Sequence, residues 1–583
     1  MTVQPQVAPL KYRWRIPAID IEARKTLRQS LGLSRIAAQV LLNRGYHDRD
    51  SAAAFLAPGP RDLHDPFAFR DMRRAVTRID QALAAGEKIT VYGDYDVDGI
   101  SGTALLSEFF AALGHPVETY IPDRFADGYG LNADRVADLA AAGTRLIITT
   151  DNGTSAHGAV ARAAECGVDV IVTDHHETKG ELPPAYAVLN PHRPDGTYPE
   201  KRLCGVGVAL KLCHGLLVHR GEAEADALPP SLRPLLDLVA LGTVADVAPL
   251  TGENRLLVRE GLALLTHEQR PGVAALKEVA GLAGQAVGAG QVGFHLGPRI
   301  NAGGRVAKGQ HGVTLLTTRD PEEAKHAAEY LDRANQERRA IEQDILEEVV
   351  ERLEGVEGLP NCIVLASPDW HAGVLGIIAS RVVERYHRPC ILIALDGDKG
   401  KGSGRSVSAL HLFDALGQCE DLLLGYGGHM AAAGVTVEAA QVSALAARLD
   451  QVVGRKVRPE AFAPSLSLDA SAKLEEIDRR LLDEFERLAP FGPGNPEPVL
   501  LLKGVVPRHA KVVGKDHLKL TLTQPGAPSL AAIAFGAADW LGEYVVEGRP
   551  VDVAGTVSVN RWQGRETLQL RVKDLRPVAE GGA

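Results

Sequence analysis

Apolar and polar residues follow a helix-and-strand rhythm over a first long region, residues 61–319. Short apolar runs such as RLIITTDNG (145–153), VDVIVTDHHE (168–177) and AYAVLNP (185–191) are separated by alanine-rich helical patterns. Continuous apolar strands that alternate with helices indicate a parallel sheet covered on both faces. The pattern therefore predicts an α/β domain, in which ligands bind beyond the carboxyl ends of the strands.

The rest of the chain changes pattern several times. A polar helical pattern begins with Asp320 at the N-cap and Pro321 at the first helical position, which predicts a long connecting helix. Apolar runs on either side of a helical pattern then predict a second α/β domain, and short alternating segments after residue 500 predict a β-barrel of the OB type. The predicted fold class is α/β multidomain, with these regions: N-terminal extension 1–60, parallel-sheet domain 61–319, connecting helix 320–358, second α/β domain 359–458 and C-terminal OB-fold barrel 459–583.

The most informative stretch is KITVYGDYDVDGISGTALLSEFF, residues 88–110. Asp94, Asp96 and Asp98 follow an apolar strand at every second position, and in an extended segment this spacing points three carboxylates to one side. An amphipathic helix is predicted from Ser101. Carboxylates this close raise one another's pKa unless a cation lies between them, so a divalent metal is expected. A calcium EF-hand loop is excluded because its twelfth position, which requires Glu, is Leu105.

Further acids and histidines follow the other predicted strands. Asp151, the triplet Asp174-His175-His176 and Asp246 all come directly after apolar runs, at the edge where a parallel sheet binds ligands. Oxygen ligands with one or two imidazoles suit Mn²⁺ or Mg²⁺, and two such ions can activate water and stabilise the leaving oxygen of a phosphoester. The alternative for Asp151 and Asp246, each taken alone, is a helix cap. The predicted ligands are Asp96, Asp98, Asp151, His175 and Asp246.

Composition narrows the class of protein. The 583 residues have 45% apolar and 24% charged content, which is ordinary for a globular protein of several domains. The net charge of −10 does not indicate nucleic-acid binding over the whole surface, so such a surface must be local. No apolar run is long enough for a membrane span, and the N-terminus has no signal-peptide pattern. Six scattered cysteines predict a reducing, cytoplasmic location without a zinc or disulfide framework.

Several motifs resemble those of one enzyme superfamily. VYGDYDVDGISG, TTDNG, VTDHHE and GTVADVAPL are similar to the motifs of the DHH phosphoesterases, and GYGGHMAAAG resembles the glycine–glycine–histidine motif of their companion DHHA1 domain. GPRINAGGR and WHAGVLGIIASR resemble segments of the RecJ single-strand exonucleases. The resemblance implies a 5′→3′ exonuclease for single-stranded DNA that requires two Mn²⁺ or Mg²⁺ ions. It also implies a single-strand-binding protein and a repair helicase as partners; a monomer is expected.

Candidate site residues follow from these motifs. Asp94, Asp151 and His176 are predicted to be catalytic, with His176 stabilising charge at the phosphate. GPRINAGGR, with its backbone N–H groups and two guanidiniums, is predicted to cradle phosphates, unless it is only a glycine turn with surface arginines. The resemblance implies a 5′-phosphate pocket at Arg124, Ser403 and Arg405, and a grip on the strand by His429 and its glycines. An exposed aromatic of the barrel is predicted to stack on bases. The predicted DNA or phosphate contacts are Arg124, Arg299, Asn301, Arg305, His371, Ser403, Arg405, Gly427, Gly428, His429 and Trp562.

Two other functions remain open at this point. A DHH enzyme that hydrolyses oligonucleotides or cyclic dinucleotides would use the same metal site, although such relatives are usually shorter and lack an OB-fold. A non-catalytic scaffold associated with a helicase would have lost metal ligands, and this chain keeps them. An Fe–S or zinc nuclease is disfavoured because the cysteines are not clustered.

Overall fold

A computed structural model describes most of the chain: residues 12–59, 62–123, 127–128, 130–178, 180–267, 270–306, 308–355, 358–562 and 565–578. The N-terminal segment contains a short strand and capped helices, in which Asp20, Ser34 and Asp48 accept hydrogen bonds from first-turn N–H groups. Their bounds are β1 (Arg13–Arg15), α1 (Ile21–Leu31), α2 (Arg35–Asn43) and α3 (Arg49–Leu56).

The first α/β domain is built on a parallel sheet of order β3-β2-β4-β5-β6. Its strands are mostly buried and rich in Val and Ile, because helices cover both faces. The elements are α4 (Met72–Ala85), β2 (Lys88–Tyr92), α5 (Val97–Ala112), β3 (Glu118–Tyr120), α6 (Ala133–Ala141), β4 (Thr144–Thr149), α7 (His157–Glu165), β5 (Asp169–Thr173), β6 (Ala187–Leu189), α8 (Gly205–His219), α9 (Leu236–Ala245), α10 (Gly252–His267), α11 (Pro271–Val279), α12 (Ala289–Gln291), α13 (Gly297–Val306) and α14 (Gln310–Thr317).

The chain order places a topological switch between β2 and β4, since β3 and β4 lie on opposite sides of β2. Ligand sites of open parallel sheets lie beyond the strand ends at such a point. The sequence prediction for this stretch is wrong in detail: β2 ends at Tyr92, and α5 begins already at Val97. The helix predicted from Ser101 is present as part of α5, but α5 is buried around nearly its whole circumference, so the predicted amphipathic character is wrong.

A single helix, α15 (Pro321–Glu354), joins the two α/β domains, as predicted. Asp320 caps its N-terminus by accepting a hydrogen bond from the backbone N–H of Glu322. The first half of the helix packs through Ala328 and Leu331 in the core of the first domain. Its second half packs through Val349 and Leu353 against the second domain. Each half of the connector therefore packs on one of the two domains along one side, while much of its remaining surface is exposed.

The second α/β domain has a mixed sheet of order β10-β11-β9-β8-β7, in which β7 and β8 are parallel and the other neighbours antiparallel. Helices α16 and α18 contribute buried leucine, isoleucine and valine side chains to its two cores. The elements are β7 (Ile363–Ser367), α16 (Leu375–Tyr386), β8 (Cys390–Asp396), β9 (Lys399–Arg405), α17 (Leu412–Gly417), β10 (Gly425–Gly428), β11 (Ala432–Glu438) and α18 (Val442–Lys456).

The C-terminal region forms a closed barrel, because β14 pairs with both β15 and β17. The α/β multidomain class with an OB-type barrel is thereby confirmed. Its elements are β12 (Ser465–Ser467), β13 (Ala470–Ala472), α19 (Arg479–Leu488), β14 (Leu500–Val513), β15 (His517–Thr523), β16 (Leu530–Ala534), α20 (Trp540–Glu543), β17 (Val551–Trp562) and β18 (Arg565–Pro577).

In this region the sequence predicts a linker over 459–470, with prolines at 459 and 464, and a helix over 472–488, and the structure differs from both predictions. A helix predicted from Ala472 begins only at Arg479, because the Asp478 side chain caps it there. The predicted linker 459–470 contains β12, which pairs in parallel with β1. The N-terminal helices also share one hydrophobic core with the barrel, so the beginning and end of the chain form one structural unit. Within the described ranges, no helix has the length and apolar character needed to cross a membrane.

Candidate metal centre and active-site cleft

Acidic and histidine side chains from separate loops meet beyond the carboxyl ends of β2, β4 and β5. The imidazole of His175 lies at the centre of this group. Its Nε2 is 3.1 Å from Oδ1 of Asp151, 3.7 Å from Oδ2 of Asp98 and 3.9 Å from Oδ2 of Asp246. Candidate ligand atoms of Asp94, Asp96 and Asp151 also lie within 4.8 Å of one another. The structure thus brings together the side chains that the sequence proposes as metal ligands.

The acidic loop after β2 is shaped by the start of α5 and not by an extended strand. Asp96 is the N-cap of α5, and its Oδ1 accepts hydrogen bonds from the N–H groups of Asp98 (3.0 Å) and Gly99 (3.2 Å). Asp98 lies in the first turn, where its carboxylate accepts hydrogen bonds from Gly205 N (2.6 Å) and Val206 N (2.9 Å) at the start of α8. Two helix N-termini therefore orient these carboxylates.

Asp151 follows β4 in a left-handed backbone conformation that residues other than glycine rarely adopt. Its φ is 63°, and its N–H donates to Thr173 O at 2.9 Å. Left-handed non-glycine residues cost free energy and persist where the surrounding structure enforces them, often at functional sites. Asp151 does not cap a helix, because the N-cap of the next helix is Ala156. This excludes the helix-cap alternative for Asp151.

The electrostatics of the cluster favour a cation. Burial, and then the neighbouring Asp96, raise the pKa of Asp94 to about 8. Burial, followed by the charges of Asp98 and Asp96, raises the pKa of Asp246 to about 9, and the pKa of Asp151 is raised well above its ordinary value for similar reasons. The buried Oδ1 atom of Asp94 has no hydrogen-bond donor among the described residues, and Oδ1 of Asp151 makes no well-aligned hydrogen bond there, although Nε2 of His175 lies 3.1 Å away. Crowded carboxylates with an orphaned oxygen, together with a neutral imidazole, fit Mn²⁺ or Mg²⁺.

His176 lies beside this cluster and is held by Asp174. Its Nδ1 is 2.7 Å from Oδ1 of Asp174, whose Oδ2 accepts a hydrogen bond from Thr154 N at 2.9 Å. Burial lowers the pKa of His176, but the hydrogen bond and charge of Asp174 outweigh it and raise the pKa to about 9. By contrast, burial lowers the pKa of His175. The adjacent imidazoles are therefore different groups at neutral pH: His176 is charged and His175 is neutral.

A cleft of about 1010 Å³ separates the two α/β domains at this point. His176 and Asp174 line one wall, and Gly428 and His429 line the opposite wall. His429 is exposed, and its Nδ1 accepts a hydrogen bond from Ala431 N at 3.3 Å. The glycine–histidine motif of the second domain thus lines the same cleft as Asp174 and His176 of the first. Gly427 lies exposed on β10 beside it.

Ser403 and Arg405 are neighbours on β9, close to the start of α16. Arg405 Nη1 donates to Ser403 Oγ at 3.3 Å, and a Cβ added to Gly376 in α16 would lie 2.8 Å from Arg405 Nη2. Burial lowers the pKa of Arg405. A half-buried guanidinium beside a hydroxyl and the first turn of a helix is an arrangement that suits an anion. Arg124, the third residue predicted here, lies outside the described residues.

Arg305 and His371 meet at the boundary between the two domains. Arg305 Nη1 donates to Gly373 O at 3.0 Å, and His371 Nδ1 accepts from Gly373 N at 3.2 Å. Both side chains are half-buried. Arg305, near the end of α13, and His371 therefore both contact Gly373 in the short segment that leads into α16.

The GPRINAGGR segment corrects part of the prediction. It forms helix α13, so most of its backbone N–H groups are used within the helix and cannot form the predicted cradle. Arg299 is 8% exposed, and its guanidinium donates to Asp332 (2.9 Å), His295 O (2.7 Å) and Val279 O (3.2 Å). The predicted phosphate contact of Arg299 is therefore wrong, because its donors stabilise the protein interior.

Asn301 makes a contact that the sequence did not predict. Its Oδ1 accepts a hydrogen bond from Val97 N at 3.0 Å, at the first residue of α5. Gly304 permits the close approach of the two segments, since a Cβ there would lie 2.4 Å from Tyr95 O. Through this hydrogen bond Asn301 positions the loop that carries the candidate metal ligands, and its predicted phosphate contact stays a prediction. Trp562 ends β17, and its side chain lies outside the described part of the structure.

Three positioning residues were not predicted from the sequence. The N–H groups of Gly205 and Val206 hold Asp98, and the buried Asn190 side chain donates to His176 O at 2.8 Å and to Thr154 Oγ1 at 2.9 Å. The glycines in CGVGV (204–208) are a sequence signal for close backbone approach at the start of α8. Asn190 ends an apolar run, which is the position where the other site residues were found.

Comparisons with known proteins agree with this arrangement. The family model described as the DHH family N-terminal domain matches residues 88–243. The DHHA1 domain model matches residues 359–455, and the RecJ OB domain model matches residues 468–574. These matches cover the metal-ligand cluster up to α9, the wall that carries His429 and the barrel.

Full-length relatives show the same similarity. The chain is 39% identical over 572 residues to the single-stranded-DNA-specific exonuclease RecJ of Bacillus subtilis (strain 168), covering 97% of this chain and 71% of that protein. Two crystal structures of RecJ from Thermus thermophilus are similar to it. The complex with Mn²⁺ has a TM-score of 0.83 at 33% identity, covering 97% of this chain and 80% of that chain. The complex with Mg²⁺ has a TM-score of 0.77 at 31% identity, with coverages of 97% and 79%.

Proposed function

Since the chain belongs to the RecJ family of single-stranded-DNA-specific exonucleases, we propose that it removes nucleotides from the 5′ end of single-stranded DNA and releases 5′-mononucleotides. It is a metal-dependent exonuclease, with a role in DNA repair and recombination. One observation carries this proposal: a cluster of carboxylates and His175 lies at the end of a parallel sheet, beside a cleft that His176 and His429 line.

Two Mn²⁺ or Mg²⁺ ions are proposed to bind to the cluster. When bound, such ions activate a water molecule and stabilise the leaving oxygen of a phosphodiester. The raised pKa values of Asp94 and Asp246 and the buried oxygens of Asp94 and Asp151 that lack a well-aligned hydrogen bond support this assignment. The proposed ligands are Asp96, Asp98, Asp151, His175 and Asp246, with Asp94 beside them.

The protein's own groups perform distinct tasks. His176 is charged at neutral pH because Asp174 raises its pKa to about 9, so it can donate a charge-assisted hydrogen bond to the phosphate. Asp174 and Asn190 fix the orientation of His176 by holding its ring and its carbonyl. Loss of the positive charge on His176 would slow the chemical step more than it would weaken substrate binding, because preorganised electrostatic stabilisation is commonly the largest contribution to catalysis.

Substrate contacts are proposed on both α/β domains and on the barrel. Ser403 and Arg405, with Arg124, are proposed to bind a terminal 5′-phosphate, and Arg305 and His371 are proposed to bind the adjoining backbone. The support is the half-buried guanidinium of Arg405 near the start of α16. Gly427, Gly428 and His429 are proposed to grip the strand on the 3′ side of the cut, and Trp562 to stack on bases.

The domain organisation, the cellular location and the partners of the protein are also proposed. Residues 61–319 form the catalytic domain, 320–358 the connector, 359–458 the DHHA1 domain and 459–583 the nucleic-acid-binding barrel, after an N-terminal extension of residues 1–60. We propose a cytoplasmic monomer that works with a single-strand-binding protein and a repair helicase. Family membership supports these partners.

The test uses long single-stranded DNA with a 5′-phosphate, labelled in turn at each end. With Mn²⁺ or Mg²⁺, the 5′ label is expected in mononucleotides at once, while the 3′-labelled strand shortens progressively. Asp96→Ala and Asp151→Ala should abolish this activity, whereas Asp134→Ala, an exposed carboxylate in the first turn of α6, should not. Early release of the 3′ label would contradict the polarity. Hydrolysis of dinucleotides with survival of long strands would contradict the substrate and favour an oligonucleotide phosphodiesterase.

A further inference from the structure

A second large cleft, of about 1150 Å³, lies between the DHHA1 domain and the N-terminal strand. One wall is the ribbon formed by β1 and β12, and the other includes the ends of α16 and α18 and the segment after β9. Four cationic side chains line it within the described residues, against two carboxylates, Glu384 and Glu460. The cationic residues are Arg13, Arg15, Lys456 and Arg458.

The ribbon presents its arginines to the cleft because of strand periodicity. Trp14 points to the barrel, where its Nε1 donates to Asp574 at 2.7 Å and Arg576 covers its ring at 4.1 Å. Alternate residues of a strand face opposite sides, so Arg13 and Arg15 share the other face, where both are exposed. The barrel thus fixes the ribbon while leaving two guanidiniums on the cleft side.

These cations differ from most charged residues around them. No ion pair joins Arg13, Arg15, Lys456 or Arg458 to a carboxylate anywhere in the described ranges. By contrast, Arg381 on α16 is paired with Glu342. Unpaired cations on both walls of one cleft, in a chain of net charge −10, form a local site for a polyanion.

The position of the cleft indicates which polyanion it takes. Ser406 and Ser408 line it, and the same short segment continues to His411, which lines the active-site cleft. This segment is fixed, since Ser406 N donates to Ala431 O at 2.9 Å and Ser406 Oγ donates to Leu410 O at 2.9 Å. The segment 406–411 therefore contributes residues to both clefts, and it begins directly after Arg405.

We propose that this basic cleft binds the phosphate backbone of single-stranded nucleic acid outside the catalytic cleft. The proposal rests on the proposed function, since the occupant is the strand being degraded. The affinity should therefore depend on the length of the strand. Strands that are long enough to pass residues 406–411 gain the additional contacts in the basic cleft, and very short strands do not. The N-terminal ribbon then has a role in substrate binding.

The first test measures binding in EDTA, where the strand is not cut, with a fluorescent 5′-phosphorylated oligonucleotide of about 30 nucleotides. Each lost phosphate contact reduces the slope of log K against log salt by about 0.7 for single strands. Arg13→Gln/Arg15→Gln should therefore reduce the slope by about 1.4 and the affinity about tenfold at about 0.15 M salt. Lys456→Gln/Arg458→Gln, on the opposite wall, should act in the same direction.

The matched control is Arg145→Gln/Arg162→Gln, which removes the same charge at the edge of the DHH sheet where the strands begin. It should leave the slope unchanged. Thermal melting should show that all three double variants fold, since the exchanged side chains are on the surface. In the presence of Mn²⁺, the cleft variants should cut a trinucleotide at the normal rate and the longer strand with a raised KM.

The outcomes separate this proposal from the proposed function. If the unmodified protein does not degrade single-stranded DNA, the proposed function fails. If it does, and both cleft variants keep the affinity and salt slope of the unmodified protein, the basic cleft does not bind the strand. If the variants keep DNA binding but lose binding of an acidic peptide, the cleft is a protein-docking site and the proposal is overturned.

Discussion

Gly205→Ala is expected to disable the metal centre through a single methyl group. A Cβ at Gly205 would lie 2.6 Å from Cβ of Asp151 and 2.9 Å from Oδ2 of Asp98. Carbon atoms in contact are normally about 3.5–4.0 Å apart, so the carboxylate loops must move by about 1 Å. Misplacement of this size in an active site can reduce the rate about 100-fold. The change adds no charge and removes no ligand.

Gly207→Ala is the matched control, because it adds the same methyl group one half-turn further along α8. Its Cβ would lie 2.7 Å from Cγ and Cδ1 of Leu203, which are side-chain atoms in the hydrophobic core. Overpacking of this kind costs about 1–3 kcal/mol of unfolding free energy. Both variants should therefore lose similar stability. Only Gly205→Ala should lose metal affinity, by about 10–100-fold, since it disturbs the groups that orient the ligands.

The assay combines calorimetric titration with Mn²⁺, thermal melting and the rate of release of a 5′ label at saturating strand concentration. The reasoning predicts a normal Mn²⁺ titration for Gly207→Ala and a weakened one for Gly205→Ala at comparable melting temperatures. A Gly205→Ala protein with unchanged metal affinity and rate would refute the assignment of α8 as the support of the centre. Equal losses in both variants would show that general destabilisation explains the effect.

Three other predictions follow from the site. Without metal, the free energy of unfolding should fall as pH rises from about 4 to about 9, because the folded protein keeps protons on Asp246 and Asp94 that the unfolded chain releases. Thermal melts in EDTA should show this decrease, Asp246→Asn should reduce it, and Mn²⁺ should reverse it. Asp174→Asn should lower the pKa of His176 from about 9 and move the alkaline limb of the pH–rate profile to lower pH; an unmoved limb would contradict this. Asn301→Ala leaves the N–H of Val97 without its acceptor and should weaken Mn²⁺ binding, whereas a rise in KM alone would indicate a phosphate contact.

Local sequence patterns predicted the parallel sheet and most of its strands. Runs of Val and Ile can be buried on both faces only in such a sheet, so the strands before Asp151 and Asp174 were recognisable without a structure. Helix α15 was predicted almost to the residue, because Asp320 and Pro321 are strong signals for a helix start. These signals act within a few residues and do not depend on distant parts of the chain.

Local sequence patterns gave wrong predictions where tertiary contacts override local conformational preference. Asp94, Asp96 and Asp98 have the spacing of an extended strand, yet Asp96 caps a helix because α8 and Asn301 hold the segment from outside. The arginine of GPRINAGGR that the sequence assigned to phosphate, Arg299, instead donates to interior acceptors. The neighbours of an arginine in the folded protein decide which of its N–H groups can still bind a ligand. The sequence alone does not identify those neighbours.

The sequence by itself determined that the acids and histidines after the buried strands lie close together, since the carboxyl ends of parallel strands meet at one edge of the sheet. It did not determine how far apart their atoms lie or which imidazole is charged. Those properties depend on burial and on contacts with Asp174, Gly205 and Asn190, which come from other segments. The pairing of β1 with β12 was equally hidden, because a strand of three residues has no local signal and is formed only by its distant partner.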